Sequence, residues 1–135
     1  MSVGYEGREL DSFIGDLLAR GVAVLADVRL NAVSRKRGFS KSALKQALEN
    51  NGIRYVHLRG LGNPPDNRAA FAGGDEDVRA GRGRFRELLS GDGPQRDLRT
   101  LKDLSSESVV AVLCVERNEQ RCHRKVVIEA LYSVA

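Results

Sequence analysis

The sequence contains no tryptophan, and its aromatic residues together make up 5% of 135 positions. So few rings argue against a broad platform on which single-stranded bases stack in succession. No run approaches the ~18 consecutive apolar residues of a spanning helix, and Met1 to Gly7 lacks the basic-then-apolar pattern of an export signal. The expectation is a soluble cytoplasmic protein with no membrane partner. Cysteine is equally scarce. Cys114 and Cys122 are the two in the chain, and without an export signal a structural disulfide is not expected. Paired C-x-x-C spacing is absent, and adjacent Cys122 and His123 rarely face one ion, so no metal and no other cofactor is expected.

Length and composition are those of one domain. With 41% hydrophobic and 30% charged residues, residues 1–135 carry an ordinary globular balance. The net charge of +4 is unevenly spread. Arg29, Arg35, Lys36, Arg37, Lys41 and Lys45 fall in one stretch without an acid, leaving sixteen positive residues against eighteen acids elsewhere. Such a segment holds phosphates through charge and guanidinium forks, or is a solvated basic face.

Periodicity predicts the elements. Ser2 to Tyr5 reads as a short strand. Leu10, Phe13, Ile14, Leu17 and Leu18 mark an amphipathic helix that ends at Gly21. Val22 to Val28 is apolar on both faces, as in a central strand. Ser40 is an N-cap for a helix carrying Ala43, Leu44, Ala47 and Leu48, closed by Asn50-Asn51-Gly52. Ile53 to Leu58 is a third strand. From Arg59 to Gly83 six glycines and two prolines obscure any period, and the stretch reads as a lid, a binding loop or a disordered excursion. Phe85, Leu88 and Leu89 mark a short helix, and Leu98, Leu101 and Leu104 another. Val109 to Leu113 is a buried strand, and Cys122 to Val134 a last helix bearing Val126, Val127, Ala130, Leu131 and Val134. Strands alternating with helices predict an α/β fold: a single compact domain with a mainly parallel sheet of about four or five strands and helices on both faces.

In such sheets ligands bind beyond the carboxyl ends of the strands. The residues expected there carry chemistry: Tyr5 and Glu6, Asp27, Arg29 and Asn31, His57, then Cys114, Glu116, Cys122, His123 and Arg124. Gly4-Tyr5-Glu6-Gly7 is a stacking ring beside a carboxylate, or a tight turn. Asp27-Val28-Arg29 is a buried ion pair at the sheet edge, an arginine held out to a phosphate, or both. Phe39 is a hydrophobic staple of the second helix or a wall of the site. The phosphatase spacing C-x5-R fails, because position six after Cys114 is Gln120. Cys122-His123-Arg124 at a helix start either lowers a thiol pKa or packs.

These segments together carry a resemblance. Ser2-Val3-Gly4-Tyr5-Glu6-Gly7, Ala26-Asp27-Val28-Arg29, Ser34-Arg35 with Gly38-Phe39-Ser40-Lys41, Gly52 to Leu58 with Leu61-Gly62, Leu113-Cys114-Val115-Glu116 and Cys122-His123-Arg124 resemble the domain of unknown function 488 family nearly end to end. Leu30-Asn31-Ala32-Val33 lacks a proline that family members often carry there. Since the family's name assigns no activity, function is argued from the residues. The leading expectation is an enzyme acting on a base in nucleic acid, DNA being preferred to RNA, by hydrolysis of the N-glycosidic bond. Glu6, Glu116 and Asp27 are the catalytic carboxylates. Tyr5, Arg29, Asn31, Ser34, Phe39, His57, Cys114, Cys122, His123 and Arg124 line the substrate site, and Arg35, Lys36, Arg37 and Lys41 hold phosphates. The alternatives are a cysteine-dependent sulfur-transfer or redox enzyme, since the Asp27-Val28-Arg29 strand end also resembles sulfurtransferase domains, and a non-catalytic nucleic-acid-binding module. No oligomeric state is assigned.

Overall fold

A computed structural model describes residues 1–116 and 119–133 of the chain. Four parallel strands form one sheet: β1 (Ser2–Gly4), β2 (Val24–Asp27), β3 (Arg54–His57) and β4 (Val110–Cys114). Their spatial order is β1-β4-β2-β3, so the last strand in sequence sits between the first and second. Each strand coincides with an apolar run read from the sequence, trimmed by one or two residues at its ends in most cases. Every residue of β2 and β4 is buried, as expected of central strands covered on both faces.

Residue parity sorts the core into two halves. Val3, Leu25, Tyr55, Ala111 and Leu113 face α1 (Leu10–Ala19) and α2 (Lys41–Asn50), meeting Phe13, Ile14, Leu17, Leu44 and Leu48. Val24, Ala26, Val110, Val112 and Cys114 face the opposite layer. There they meet Phe85 and Leu89 of α4 (Asp75–Leu89), Leu98 and Leu101 of α5 (Asp92–Glu107), and Val126 and Val127 of α6 (Arg124–Leu131). The chain therefore runs outward to β3 through α1 and α2 on one face and returns to β4 through helices on the other. The last helix is placed as its apolar spacing predicts, except that Val134 lies outside the described residues. Among the described residues no helix is long and apolar enough to cross a membrane.

Two local expectations need correction. Ser40 occupies the N-cap of α2, but its hydroxyl does not cap the helix; it accepts from the Ser34 amide at 2.9 Å and donates to the Ser34 carbonyl at 3.1 Å, folding the basic loop back on itself. The Arg59–Gly83 segment is no excursion. It contains 3-10 turns at Arg59–Leu61 and Ala69–Ala72, α3 (Pro65–Arg68) and the first nine residues of α4. The period was hidden because α4 uses glycine as a core residue. Val78, Gly81, Phe85 and Leu89 form its buried stripe, and Asn67 in α3 donates to the Gly81 carbonyl at 3.0 Å.

A methyl group on Gly81 would stand 2.9 Å from the Ala70 side chain and 3.2 Å from the Phe71 ring, whereas one on Gly83 would meet nothing within 4 Å. Alanine in place of glycine gains about 0.8–1.0 kcal/mol of helix propensity, and overpacking costs about 1–3 kcal/mol. Gly83→Ala should therefore raise the urea midpoint and Gly81→Ala lower it. A stabilised Gly81→Ala protein would show that the approach of α4 to the 69–72 turn is not tight.

Candidate active site

The loops that leave β2 and β4, adjacent strands, turn to opposite faces of the sheet, β2 toward α2 and β4 toward α6. That divergence opens a crevice at the carboxyl ends of the two strands. A cleft lies there. One wall is Arg29, Leu30, Asn31 and Val33 after β2; the other is Cys114, Val115, Glu116 and His123 after β4; Asn63, Pro65, Arg68 and Phe71 form a third side. The segment between β3 and α4 thus supplies a helical wall. Sequence reading missed Arg68, Asn63 and Phe71, whose one local signal is the Pro64-Pro65 helix start. An adjoining groove shares Pro65, Arg68, Phe71 and Glu116 and reaches Glu6 and Arg121.

On the α1/α2 side of the sheet the Asp27-Val28-Arg29 motif forms a closed network. Asp27 is fully buried and accepts from Arg29 Nε (2.9 Å), Arg29 Nη2 (2.6 Å), the Arg29 amide (3.1 Å) and the Tyr55 hydroxyl (2.5 Å). Arg29 Nη1 donates to the Phe39 carbonyl at 2.6 Å and to the Tyr5 oxygen at 3.3 Å. Burial opposes the guanidinium charge, but Asp27 more than compensates and holds the Arg29 proton more tightly than usual. Burial, and then Asp27 as acceptor, push the Tyr55 hydroxyl above its ordinary range.

This arrangement corrects three expected roles. Tyr5 is not an open stacking ring: it is buried, and its face lies on Phe39 with centroids 4.5 Å apart and planes 11° from parallel. Phe39 is itself fully buried and lines no part of the cleft, sitting with Leu44 in one apolar cluster as a staple at the start of α2 would. Asp27 is turned away from the cleft and saturated by donors. The reason is parity, which sends Tyr5, Asp27 and Tyr55 to the face covered by α1 and α2. Phe71 is the ring that the cleft presents.

Other expected residues are placed outside the cleft. His57 Nε2 donates to the Arg29 carbonyl at 2.8 Å, bracing the β2 loop from outside. Ser34 takes part in the loop's own hydrogen bonds, its hydroxyl accepting from the Lys36 amide at 3.1 Å. Arg124 is buried and ties the strands together: Nε donates to the Ser2 hydroxyl at 2.5 Å and Nη1 to the Glu116 carbonyl. Arg35, Arg37 and Lys41 are exposed and Lys36 half-buried, and among the described residues none of them forms an ion pair.

The floor of the cleft, Cys114 and His123, belongs to a second cluster, on the α6 side, whose third member, Cys122, does not line the cleft. Cys114 ends β4; Cys122 follows the Glu119–Arg121 turn; His123 is the N-cap of α6. His123 Nε2 lies 2.9 Å from the Val28 carbonyl, which can only accept, so Nε2 carries a hydrogen, and in the neutral ring Nδ1 presents its lone pair. Nδ1 is 3.6 Å from the Cys122 sulfur and 3.9 Å from the Cys114 sulfur. The objection that neighbouring Cys122 and His123 face apart does not hold here. They lie in a turn and at a helix cap, where successive side chains are not fanned around a helix. Both cysteines are free and buried. The hydrogen bond with Cys122, and then burial, push the Cys114 thiol well up against the opposing pull of His123.

Glu116 stands between floor and mouth. Its Oε2 accepts from the Cys114 thiol at 3.4 Å, and its Oε1 is 3.4 Å from Arg68 Nη2. Burial raises its pKa, but its own amide and Arg68 outweigh that and hold the carboxyl below its ordinary value. A half-buried carboxylate, a cation across the mouth, an aromatic wall and the amides of Asn31 and Asn63 can orient water against a flat polar substrate.

A family model described as Domain of unknown function DUF488 matches residues 9–131. No curated protein and no solved structure matches the chain.

Proposed function

We propose, taking as premise that this chain belongs to the DUF488 family, that it hydrolyses the N-glycosidic bond of a base in DNA, with Glu116 as the carboxylate that takes a proton from water. The observation that carries this reading is the position of Glu116: it lines both the crevice between β2 and β4 and the adjoining groove, with Arg68 beside it. In the reaction the C1′–N bond breaks and its electron pair leaves with the base. The water oxygen bonds to C1′, and the proton Glu116 removes from water is balanced by one that the departing base acquires. A base turned out of the helix would lie between Phe71 and the apolar side chains of Leu30 and Val33, and be read by Asn31 and Asn63. The basic loop that begins in the cleft continues through Arg35, Lys36 and Arg37, which supports contact with backbone phosphates.

The test is incubation with duplex oligonucleotides that each carry one modified base, followed by alkali and gel separation. The expected result is breakage at one modified position only after alkali, since hydrolysis by water leaves an abasic site. Intact strands across the whole panel would overturn the proposal.

A further inference from the structure

We propose that Cys114, Cys122 and His123 form a binding site for a thiophilic divalent cation of the zinc class, with one coordination position left toward the cleft.

The donor atoms, two Sγ and one Nδ1, all lie within 4.8 Å of one another. Around a tetrahedral ion with metal–sulfur bonds of about 2.3 Å and a metal–nitrogen bond of about 2.0–2.1 Å, sulfur and nitrogen stand about 3.6 Å apart. The observed separations of 3.6 and 3.9 Å from Nδ1 need little adjustment to meet that geometry. The imidazole is already set for ligation. Its Nε2–H is held by the Val28 carbonyl, the outer contact that fixes tautomer and ring angle in metal-bound histidines. The Phe85 ring packs edge-on against it at 5.0 Å, limiting its tilt. Three protein ligands with a free position are the arrangement of sites that keep room for water or substrate. Cys114 and His123 line the cleft, and Glu116 Oε2 stands 3.4 Å from the Cys114 sulfur.

Charge also balances. A divalent ion held by two thiolates and one neutral imidazole makes a cluster without net charge, so burial carries no net ionic penalty.

This inference goes beyond the glycosidic reading, and its readout is metal binding, so either can fail alone. Reduced, chelator-treated full-length protein is titrated anaerobically with cobalt(II). The expected result is sulfur-to-cobalt charge-transfer absorption with the intense d–d bands of a tetrahedral ion, saturating at one equivalent. Two protons should be released per ion, and zinc should displace the cobalt. Cys114→Ser, Cys122→Ser and His123→Ala should each lose the bands. Should a variant fail to fold, the wild-type protein still decides: one equivalent of zinc should protect both thiols from alkylation. Absence of charge-transfer bands, weak octahedral spectra, or thiols alkylated equally with and without zinc would overturn the proposal.

Discussion

Asp27→Ala is expected to destabilise the protein by about 3–5 kcal/mol, the cost of removing one partner from a buried ion pair. Against a typical total of about 5–15 kcal/mol that is a large share. The magnitude follows from what the carboxylate leaves behind. Its four donors are the Arg29 amide, Nε and Nη2 and the Tyr55 hydroxyl, and alanine accepts from none of them. The Arg29 guanidinium is 4% exposed, so it cannot turn to water. Asp27→Asn keeps the shape and part of the hydrogen bonding and should fall between. Urea unfolding with an unchanged slope measures the difference. A loss under about 1 kcal/mol for Asp27→Ala would mean that Tyr5, Tyr55 and Phe39 hold this sheet edge without the ion pair. The double variant Asp27→Ala/Arg29→Ala should lose less than the sum of the single changes, because it leaves no buried charge unpaired.

Glu116→Gln should lower kcat/KM for base release by about 10²–10⁴-fold, the usual contribution of a positioned acid or base, with almost no change in stability. The two effects separate because the side chain is 26% exposed and its partner Arg68 56% exposed, and such surface pairs contribute about 0–1 kcal/mol. The glutamine is nearly the same size but cannot take a proton from water. Glu6, exposed at the far end of the adjoining groove, is the comparison, and Glu6→Gln should change the rate by less than tenfold. Single-turnover release of the base under excess enzyme is the measurement. A Glu116→Gln protein that releases the base at the wild-type rate removes the proposed role, and a Glu6→Gln protein that does not release it reassigns the role to Glu6.

The strands were legible because burial on both faces writes itself as continuous apolar runs, Val24–Asp27 and Val110–Cys114 being the clearest. Their meeting at one edge follows from the alternation of strands and helices, which is why the sequence alone points to Arg29, Asn31, Cys114, Glu116 and His123, all of which line the cleft. Other features depend on contacts distant in the chain. Nothing near Gly4-Tyr5-Glu6-Gly7 reveals that Phe39 covers the Tyr5 ring. Counting glycines misreads the 59–83 segment because several of them are close approaches. A methyl group on Gly62 would stand 2.3 Å from the Leu30 backbone, and one on Gly60 2.5 Å from the Asp97 carboxylate. Arg68 and Phe71 carry no motif, and become part of the site through where that helical wall docks.

The position of β4 bears on how the protein is made. β1 pairs with β4 alone, and β2 reaches β1 only through it. While only the chain up to Ser108 has emerged, the β2–β3 pair bares the β2 edge that β4 later covers, and the first strand has no neighbour. The cleft, drawn from loops more than eighty residues apart, cannot assemble until the residues after β4 emerge. Two unpaired strand edges stay open to other chains for that interval. One five-residue strand in the middle of the sheet thus completes its core and its cleft together.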